Sequence, residues 1–350
     1  MKAVRWYAPR DMRLEEAPKP EPKPWEALLR VESVGVCGSD MHYYLDGHIG
    51  SQLLREPTIL GHEYAGVVEA VGAEADPGLV GKRVAVEPGI PCMRCEWCRK
   101  GDYNVCAKMF FPGGPGCDGA LCEYYTVHAD FCFPVPDGMS AVDAAMIEPL
   151  AVALHTVELA RLVPGETAAV IGLGPIGLLT AAVAKLSGVD VLYGTDLLAY
   201  RVEAGAKFGV DQARRVPPGD GAQADSESVA WIMEQTGGRG VDVAFDCTNA
   251  SEGIALACRV TRPAGRCVLT GISGKEDDPV PVSVARRREL SFHWCRRFKF
   301  NFPAAINLLH SGRINLAPLI THHFPLEQTL EAFELVAQNA DNVLKVSIDQ

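Results

Sequence analysis

No stretch of this sequence stays apolar for the ~20 residues that a membrane-spanning helix requires. The opening Met1-Lys2-Ala3-Val4-Arg5-Trp6-Tyr7 lacks the apolar core of a secretory signal. Long basic runs are missing too: Arg286-Arg287-Arg288 and Arg296-Arg297 are short and lie amid apolar residues. With 44 acidic against 33 basic residues and a formal net charge of −11, neither nucleic acid nor an anionic membrane surface is attracted. There is no internal repeat, and the one biased patch, Pro18 to Pro24, reads as a surface connection. These absences predict a soluble, cytoplasmic protein. Thiols stay reduced there, so clustered cysteines mean metal more often than disulfide.

What is present is ordinary globular composition, 48% hydrophobic and 22% charged, over 350 residues, a length that predicts two domains with a core each. The chain is organised around Val170-Ile171-Gly172-Leu173-Gly174-Pro175-Ile176-Gly177. An apolar run, Glu166 to Ile171, precedes it and a run of helix formers, Leu178 to Leu186, follows, so it reads as strand, glycine turn and helix. Gly172 makes the tight turn, Gly174 lets backbone N–H groups approach a pyrophosphate, and Gly177 lets the helix pack on the strand. Asp196 follows a second strand, where a carboxylate accepts hydrogen bonds from both ribose hydroxyls and repels a 2′-phosphate. That favours NAD over NADP, although Arg201 nearby offers a guanidinium for adenine or for a phosphate.

Three segments carry metal chemistry. Cys37-Gly38-Ser39-Asp40-Met41-His42-Tyr43 ends a strand with a thiol, a hydroxyl and an imidazole, and Gly61-His62-Glu63 sets imidazole and carboxylate side by side. A catalytic zinc needs three protein ligands and one open position. Cys37 and His62 supply two; Glu148, embedded in Ala144-Ala145-Met146-Ile147-Glu148-Pro149-Leu150, offers a carboxylate for the third, or else caps a helix or enters a buried ion pair. Cys92, Cys95, Cys98 and Cys106 form a Cys-x2-Cys-x2-Cys-x7-Cys lobe, four thiolates able to close a tetrahedron with no position left for substrate. Neighbouring Arg94, Arg99 and Lys100 are expected to ease thiolate formation. The other seven cysteines lack ligand spacing and read as small buried hydrophobes.

Along the chain, short strands dominate to about residue 140, and strands and helices alternate after the glycine fingerprint. The alternation predicts a parallel sheet covered on both faces. The stretch 217–225 reads as a surface excursion. The tail adds no nucleotide motif and is assigned back to the first domain.

Taken together, Cys37-Gly38-Ser39-Asp40-Met41-His42-Tyr43-Tyr44 with Gly47-His48-Ile49-Gly50, the Gly61-His62-Glu63 box, Ile147-Glu148-Pro149-Leu150, and Arg297 ahead of Pro303-Ala304-Ala305-Ile306 resemble the zinc-containing medium-chain dehydrogenase/reductase superfamily, in its sorbitol (polyol) dehydrogenase branch. The resemblance implies an α/β protein: a Rossmann doubly wound parallel sheet as coenzyme domain over 151–289, and a β-rich GroES-like catalytic domain over 1–150 and 290–350. It implies two zinc ions per subunit. The catalytic one is held by Cys37, His62 and Glu148, with Glu63 in or next to the shell and able to exchange with a ligand. The structural one is held by Cys92, Cys95, Cys98 and Cys106. Cofactor contacts would be Gly172, Gly174, Pro175, Ile176, Gly177, Asp196 and Arg201, with Gly271, Ile272, Ser273, Arg296 and Arg297 near the nicotinamide. Tyr43, Glu148, Arg297 and Phe298 would face the substrate, and Ser39 would pass the hydroxyl proton along the ribose toward His42, which also reads as a surface-loop histidine.

The implied activity is oxidation of a polyol such as sorbitol or xylitol to the ketose with NAD. The alternatives are another secondary alcohol (butanediol, L-threonine, a sugar) or a non-catalytic protein binding NAD and zinc. The partner is a small molecule, with no nucleic acid and no membrane, and the family's usual state is a homo-oligomer, tetramer ahead of dimer. Phe298 stands where polyol enzymes commonly carry Tyr, and His48 replaces their usual Arg. Both departures put the particular polyol in doubt.

Overall fold

The strand Glu26–Gly35 is buried along most of its length, and three neighbours pair along its edges. Glu63–Val71, Tyr124–His128 and Lys345–Asp349 all pair with it antiparallel. Around it a mixed sheet runs in the order Cys132–Pro134, Arg83–Val86, Glu63–Val71, Glu26–Gly35, Lys345–Asp349, Ile320–Pro325. Lys2–Ala8 forms a second small sheet with Asp11–Glu16 and Thr58–Ile59. Leu29, Val34, Tyr64, Leu121 and Ile348 lie in the core that these strands enclose. This is a computed structural model, in which residues 1–218 and 226–350 are described. Most of the 217–225 excursion expected from the sequence therefore lies outside the described residues.

The chain divides into two compact units, Met1–Ala151 with Lys299–Gln350, and Val152–Phe298. The second has its own core, containing Ile171, Ile232, Ala244, Leu256 and Leu269. Among the described residues its sheet has six strands, all parallel: Ala168–Ile171, Leu192–Asp196, Gln212–Arg215, Val241–Asp246, Thr261–Leu269 and Ser291–Trp294. Numbered in chain order they lie 3-2-1-4-5-6 across the sheet. The order reverses between the first and fourth strands, and in open sheets of this kind a ligand binds outside the carboxyl ends at that point.

The return to the first unit comes after Phe298, not at residue 290. Ser291–Trp294 pairs with Thr261–Leu269 and so completes the parallel sheet instead of leaving it. Among the described residues, no helix is long and apolar enough to cross a membrane.

Candidate active site

The central strand ends at Gly35, and two residues later Cys37 caps the amino end of the helix Gly38–Asp46. Asp40, in that helix's first turn and 1% exposed, holds the turn together. Its Oδ2 accepts from the Cys37 N–H at 3.1 Å, and its Oδ1 accepts from the Gly61 N–H at 3.3 Å. The same Oδ1 stands 3.3 Å from His62 Nδ1. A carboxylate on Nδ1 fixes the ring so that Nε2 is the nitrogen offered to a metal. Burial lowers the affinity of His62 for a proton, but the charges of Asp40 and Cys37 override it and raise its pKa well above the ordinary value. The sequence reading missed Asp40, although an acidic residue three positions after a helix cap is itself a signal.

Glu63 opens the strand Glu63–Val71, whose register sets it opposite Gly35. No larger residue fits opposite: a Cβ on Gly35 would lie 2.2 Å from Glu63 Oε2 and 2.5 Å from Met146 Cε. The result is a group in which ligand atoms of Cys37, His62 and Glu63 all lie within 4.8 Å of one another. Thiolate, imidazole and carboxylate are the donors zinc takes, and three of them leave a tetrahedral ion one open position.

Glu148, in the first turn of the helix Ile147–Ala160, is buried but stands outside this group. Burial pushes its carboxyl up to about 8; His62 and Lys345 oppose the shift, and Glu63 and Asp40 add to it. Of the two carboxylates that the sequence offers to the shell, Glu63 is the one grouped with Cys37 and His62. Lys345, which the sequence reading missed, is 3% exposed. Its ammonium lies 2.5 Å from Glu63 Oε2 and donates to the Val36 carbonyl at 2.9 Å. Burial works against its charge, yet Glu63 and Cys37 keep its pKa raised.

The helix that Cys37 caps carries Ser39, His42 and Tyr43 at the spacing of one face. Ser39 Oγ donates to Cys37 Sγ at 3.3 Å. His42 Nδ1 stands 3.8 Å from Asp46 Oδ2 and is half-buried, so it is not a free surface histidine. Tyr43 is buried, and its hydroxyl donates to Gln52 Oε1 at 3.4 Å.

Cys92, Cys95, Cys98 and Cys106 also converge to within 4.8 Å. Four sulfurs at ~2.3 Å from one zinc stand about 3.8 Å apart. Cys95 Sγ is 3.4 Å from Cys98 Sγ and 3.9 Å from Cys106 Sγ, so the lobe fits the ion. The backbone N–H groups of Arg94 and Cys95 bring the Cys92 thiol down to about 6. At Cys92 backbone donors thus do what the sequence assigns to neighbouring cations, while burial pushes the Cys98 thiol up to about 12; Lys100 pairs with Glu96 at 2.6 Å.

Residues 23–137 match the alcohol dehydrogenase GroES-like domain family, and 175–311 match the zinc-binding dehydrogenase family. The sorbitol dehydrogenase of Bacillus subtilis (strain 168) is 36% identical over 99% of this chain and 97% of its own. The chain belongs to the zinc-containing medium-chain dehydrogenases, in their polyol dehydrogenase branch. The sorbitol dehydrogenase of Homo sapiens is 39% identical over 94% of this chain and 90% of its own. Among solved structures, a short chain alcohol dehydrogenase (rspB) from Escherichia coli CFT073 complexed with NADH superposes with a TM-score of 0.88. It is 29% identical and covers 100% of this chain and 99% of its own.

In this dehydrogenase the glycine-rich turn and its aspartate lie in the second unit. Gly172 takes a left-handed φ of +86°, and a Cβ on Gly177 would stand 1.8 Å from the Gly172 carbonyl oxygen. Gly174 caps the helix Pro175–Leu186, Pro175 takes its first position and Ile176 its second, which turns the helix N-terminus toward the glycine turn. Asp196 ends its strand buried; its Oδ2 accepts from Leu173 N–H at 2.8 Å and its Oδ1 from Leu198 N–H at 2.9 Å. Arg201 Nη1 stands 4.0 Å from Asp196. Each carboxylate oxygen keeps a further lone pair.

Gly271, Ile272 and Ser273 line a pocket of about 210 Å³ together with Asp246, Thr248 and Trp294. The Ser273 hydroxyl already donates to Asp278 at 2.6 Å. Arg296 is exposed, Arg297 half-buried with a left-handed φ of +56°, and Phe298 is 4% exposed.

Proposed function

We propose that this dehydrogenase oxidises a secondary hydroxyl of a polyol of the sorbitol or xylitol class to the ketose, with hydride transfer to NAD. The observation that carries the reading is the convergence of Cys37, His62 and Glu63 at the foot of the helix bearing Ser39, His42 and Tyr43. Zinc held by Cys37, His62 and a carboxylate, Glu63 or Glu148, supplies Lewis-acid polarisation that makes a substrate hydroxyl acidic near neutral pH.

The chain's own residues supply the rest. Asp40 orients the His62 ring, and Lys345 offsets the negative charge gathered by Cys37, Glu63 and Glu148. Ser39 would receive the hydroxyl proton from the substrate, and His42, an imidazole suited to relay near neutral pH, would pass it on. Asp196 accepts from the ribose hydroxyls and disfavours a 2′-phosphate. Gly271, Ile272, Ser273 and Arg296 border the nicotinamide; Tyr43, Glu148, Arg297 and Phe298 border the polyol. Cys92, Cys95, Cys98 and Cys106 hold a second, structural zinc. A homotetramer in the cytoplasm, where Cys37 and the four-cysteine cluster stay reduced, completes the reading.

The test is NADH formation by zinc-replete protein on xylitol, sorbitol, ribitol, arabitol, galactitol, butanediol and L-threonine, with NADP in parallel. Turnover of one or two polyols with NAD is expected. Activity confined to butanediol or threonine overturns the substrate class and keeps the chemistry. No activity at full zinc occupancy overturns both.

A further inference from the structure

The helix Gly38–Asp46, which carries Ser39, His42 and Tyr43, is nine residues long. A helix so short takes its stability and its setting from what it packs against. Two of its buried residues, Asp40 and Tyr44, stand four positions apart and so share a face. Asp40 fastens the first turn through the Gly61 N–H. Tyr44 fastens the last one.

Tyr44 is fully buried, and its ring meets Phe333 edge-on with centroids 5.3 Å apart. Phe333 lies on the helix Thr329–Ala337, next to Glu334. The Tyr44 hydroxyl donates to Glu334 Oε1 at 2.5 Å, the short distance of a bond to a charged acceptor. Arg10, in the turn between Lys2–Ala8 and Asp11–Glu16, closes the group. Its Nη1 donates to Glu334 Oε1 at 2.7 Å and to Oε2 at 2.8 Å, and its backbone N–H donates to the Tyr44 carbonyl at 2.8 Å. Gln338 Nε2 donates to Glu334 Oε2 at 3.2 Å. A carboxylate that accepts four hydrogen bonds is a fixed post, and a helix tied to it at one turn and to Gly61 at another can neither roll nor tilt. Burial alone does not ask for this carboxylate. Phe333 already covers the Tyr44 ring, whereas an acceptor at Glu334 specifies where the hydroxyl end of that ring must lie.

We infer that Tyr44, Glu334 and Arg10 are positioning residues that act through the helix Gly38–Asp46 on Ser39 and His42. The inference rests on the reading that Ser39 and His42 carry the substrate's proton. Tyr44, Glu334, Arg10 and the helix all belong to Met1–Ala151 with Lys299–Gln350.

The experiment uses zinc-replete full-length protein and the variants Tyr44→Phe, Glu334→Gln, Glu334→Ala and Ser39→Ala. Zinc per chain, melting temperature, hydrogen exchange of the peptide spanning residues 38–47, the single-turnover rate of NADH formation and KM for the turned-over polyol are measured for each. Tyr44→Phe keeps the ring on Phe333 and the backbone bond from Arg10, and leaves Glu334 paired with Arg10, so it folds even where Glu334→Ala does not. For Tyr44→Phe and Glu334→Ala, zinc content holds and exchange over 38–47 rises. The single-turnover rate falls roughly fivefold, the size of one lost hydrogen bond, while KM stays within about twofold. Glu334→Gln, which keeps an oxygen for Tyr44, recovers most of that rate. A lower melting temperature with an unchanged rate is what a merely structural role produces, and it overturns the inference. Unchanged exchange overturns it too, as does a Glu334→Gln rate as low as that of Glu334→Ala. Higher KM at an unchanged rate places the effect on Tyr43 instead and likewise overturns it. Ser39→Ala separates the two readings: if it leaves the rate unmoved, the proton reading has failed. If it lowers the rate while Tyr44→Phe and Glu334→Ala do not, the positioning role alone has failed.

Discussion

Lys345 and Glu63, 3% and 1% exposed, meet at 2.5 Å beside Cys37 and His62. Removing one partner of a buried pair strands the other charge, at a cost of about 3–5 kcal/mol. Zinc bound by Glu63 would take up that stranded charge. Lys345→Met should therefore lower the melting temperature much more in chelator-treated protein than in zinc-loaded protein. An equal loss in both forms would mean that Glu63 does not reach the metal. Glu87 supplies a second test, away from the three-ligand group. Burial raises its carboxyl from 4.5 to about 7, against the opposing hydrogen bond from Tyr103. Between pH 4.5 and 7 the unfolded chain gives up this proton while the folded chain keeps it, so stability falls as pH rises through that window. Below the window the contribution is intact; above it the loss is complete, at most about 3 kcal/mol. Glu87→Gln keeps an acceptor for Tyr103 and cannot ionise. Calorimetric melting from pH 4.5 to 7 should show a smaller decline for the variant than for wild type, and parallel curves would refute the assignment.

At the scale of elements, the glycine turn and its aspartate share one function before any cofactor arrives. Asp196 pins the turn through Leu173 N–H and the following helix through Leu198 N–H. Asp196→Ala should narrow the NAD over NADP preference in kcat/KM and also cost about 1–3 kcal/mol, because one buried and one partly buried donor lose their acceptor. Asp196→Asn, which keeps an oxygen, should narrow the preference at a smaller cost in melting temperature. A preference unchanged in both variants would remove Asp196 from the ribose. These elements were legible because their chemistry is local: strand, glycines, helix and acid fall within some 30 residues, and the four-cysteine ligands within 15. Where signals are not local, the sequence was mute. Gln212–Arg215 is a polar, largely exposed edge strand with no alternation to reveal it. Ser291–Trp294 falls within the 290–350 tail that the sequence assigns to the first domain, since nothing in four residues tells which sheet they join. Lys345 lies 309 residues from the Val36 carbonyl it bonds, and its burial follows from the sheet register alone.

Across the whole molecule, the groups able to hold a metal and the glycine turn proposed for the dinucleotide belong to different stretches of chain. Among the described residues, both groups able to hold a metal belong to Met1–Ala151 with Lys299–Gln350, whereas the glycine turn and Asp196 belong to Val152–Phe298. Each unit is built on its own apolar core. The two metal groups also differ in how firmly they should hold an ion. Four thiolates close the shell, while thiolate, imidazole and carboxylate leave it open to solvent and to a chelator. Dialysis against a moderate zinc chelator should therefore lower the content from two ions per chain to one, with the four-cysteine ion retained. Turnover should disappear at that point and return when zinc is restored. NADH affinity, followed by the fluorescence of the bound cofactor, should change by less than about twofold, or roughly 0.4 kcal/mol. Loss of NADH binding in step with the first zinc would show that the dinucleotide site depends on the three-ligand metal. Loss of the four-cysteine ion first would mean that Cys37, His62 and a carboxylate make the tighter site, and the roles of the two groups would have to be exchanged.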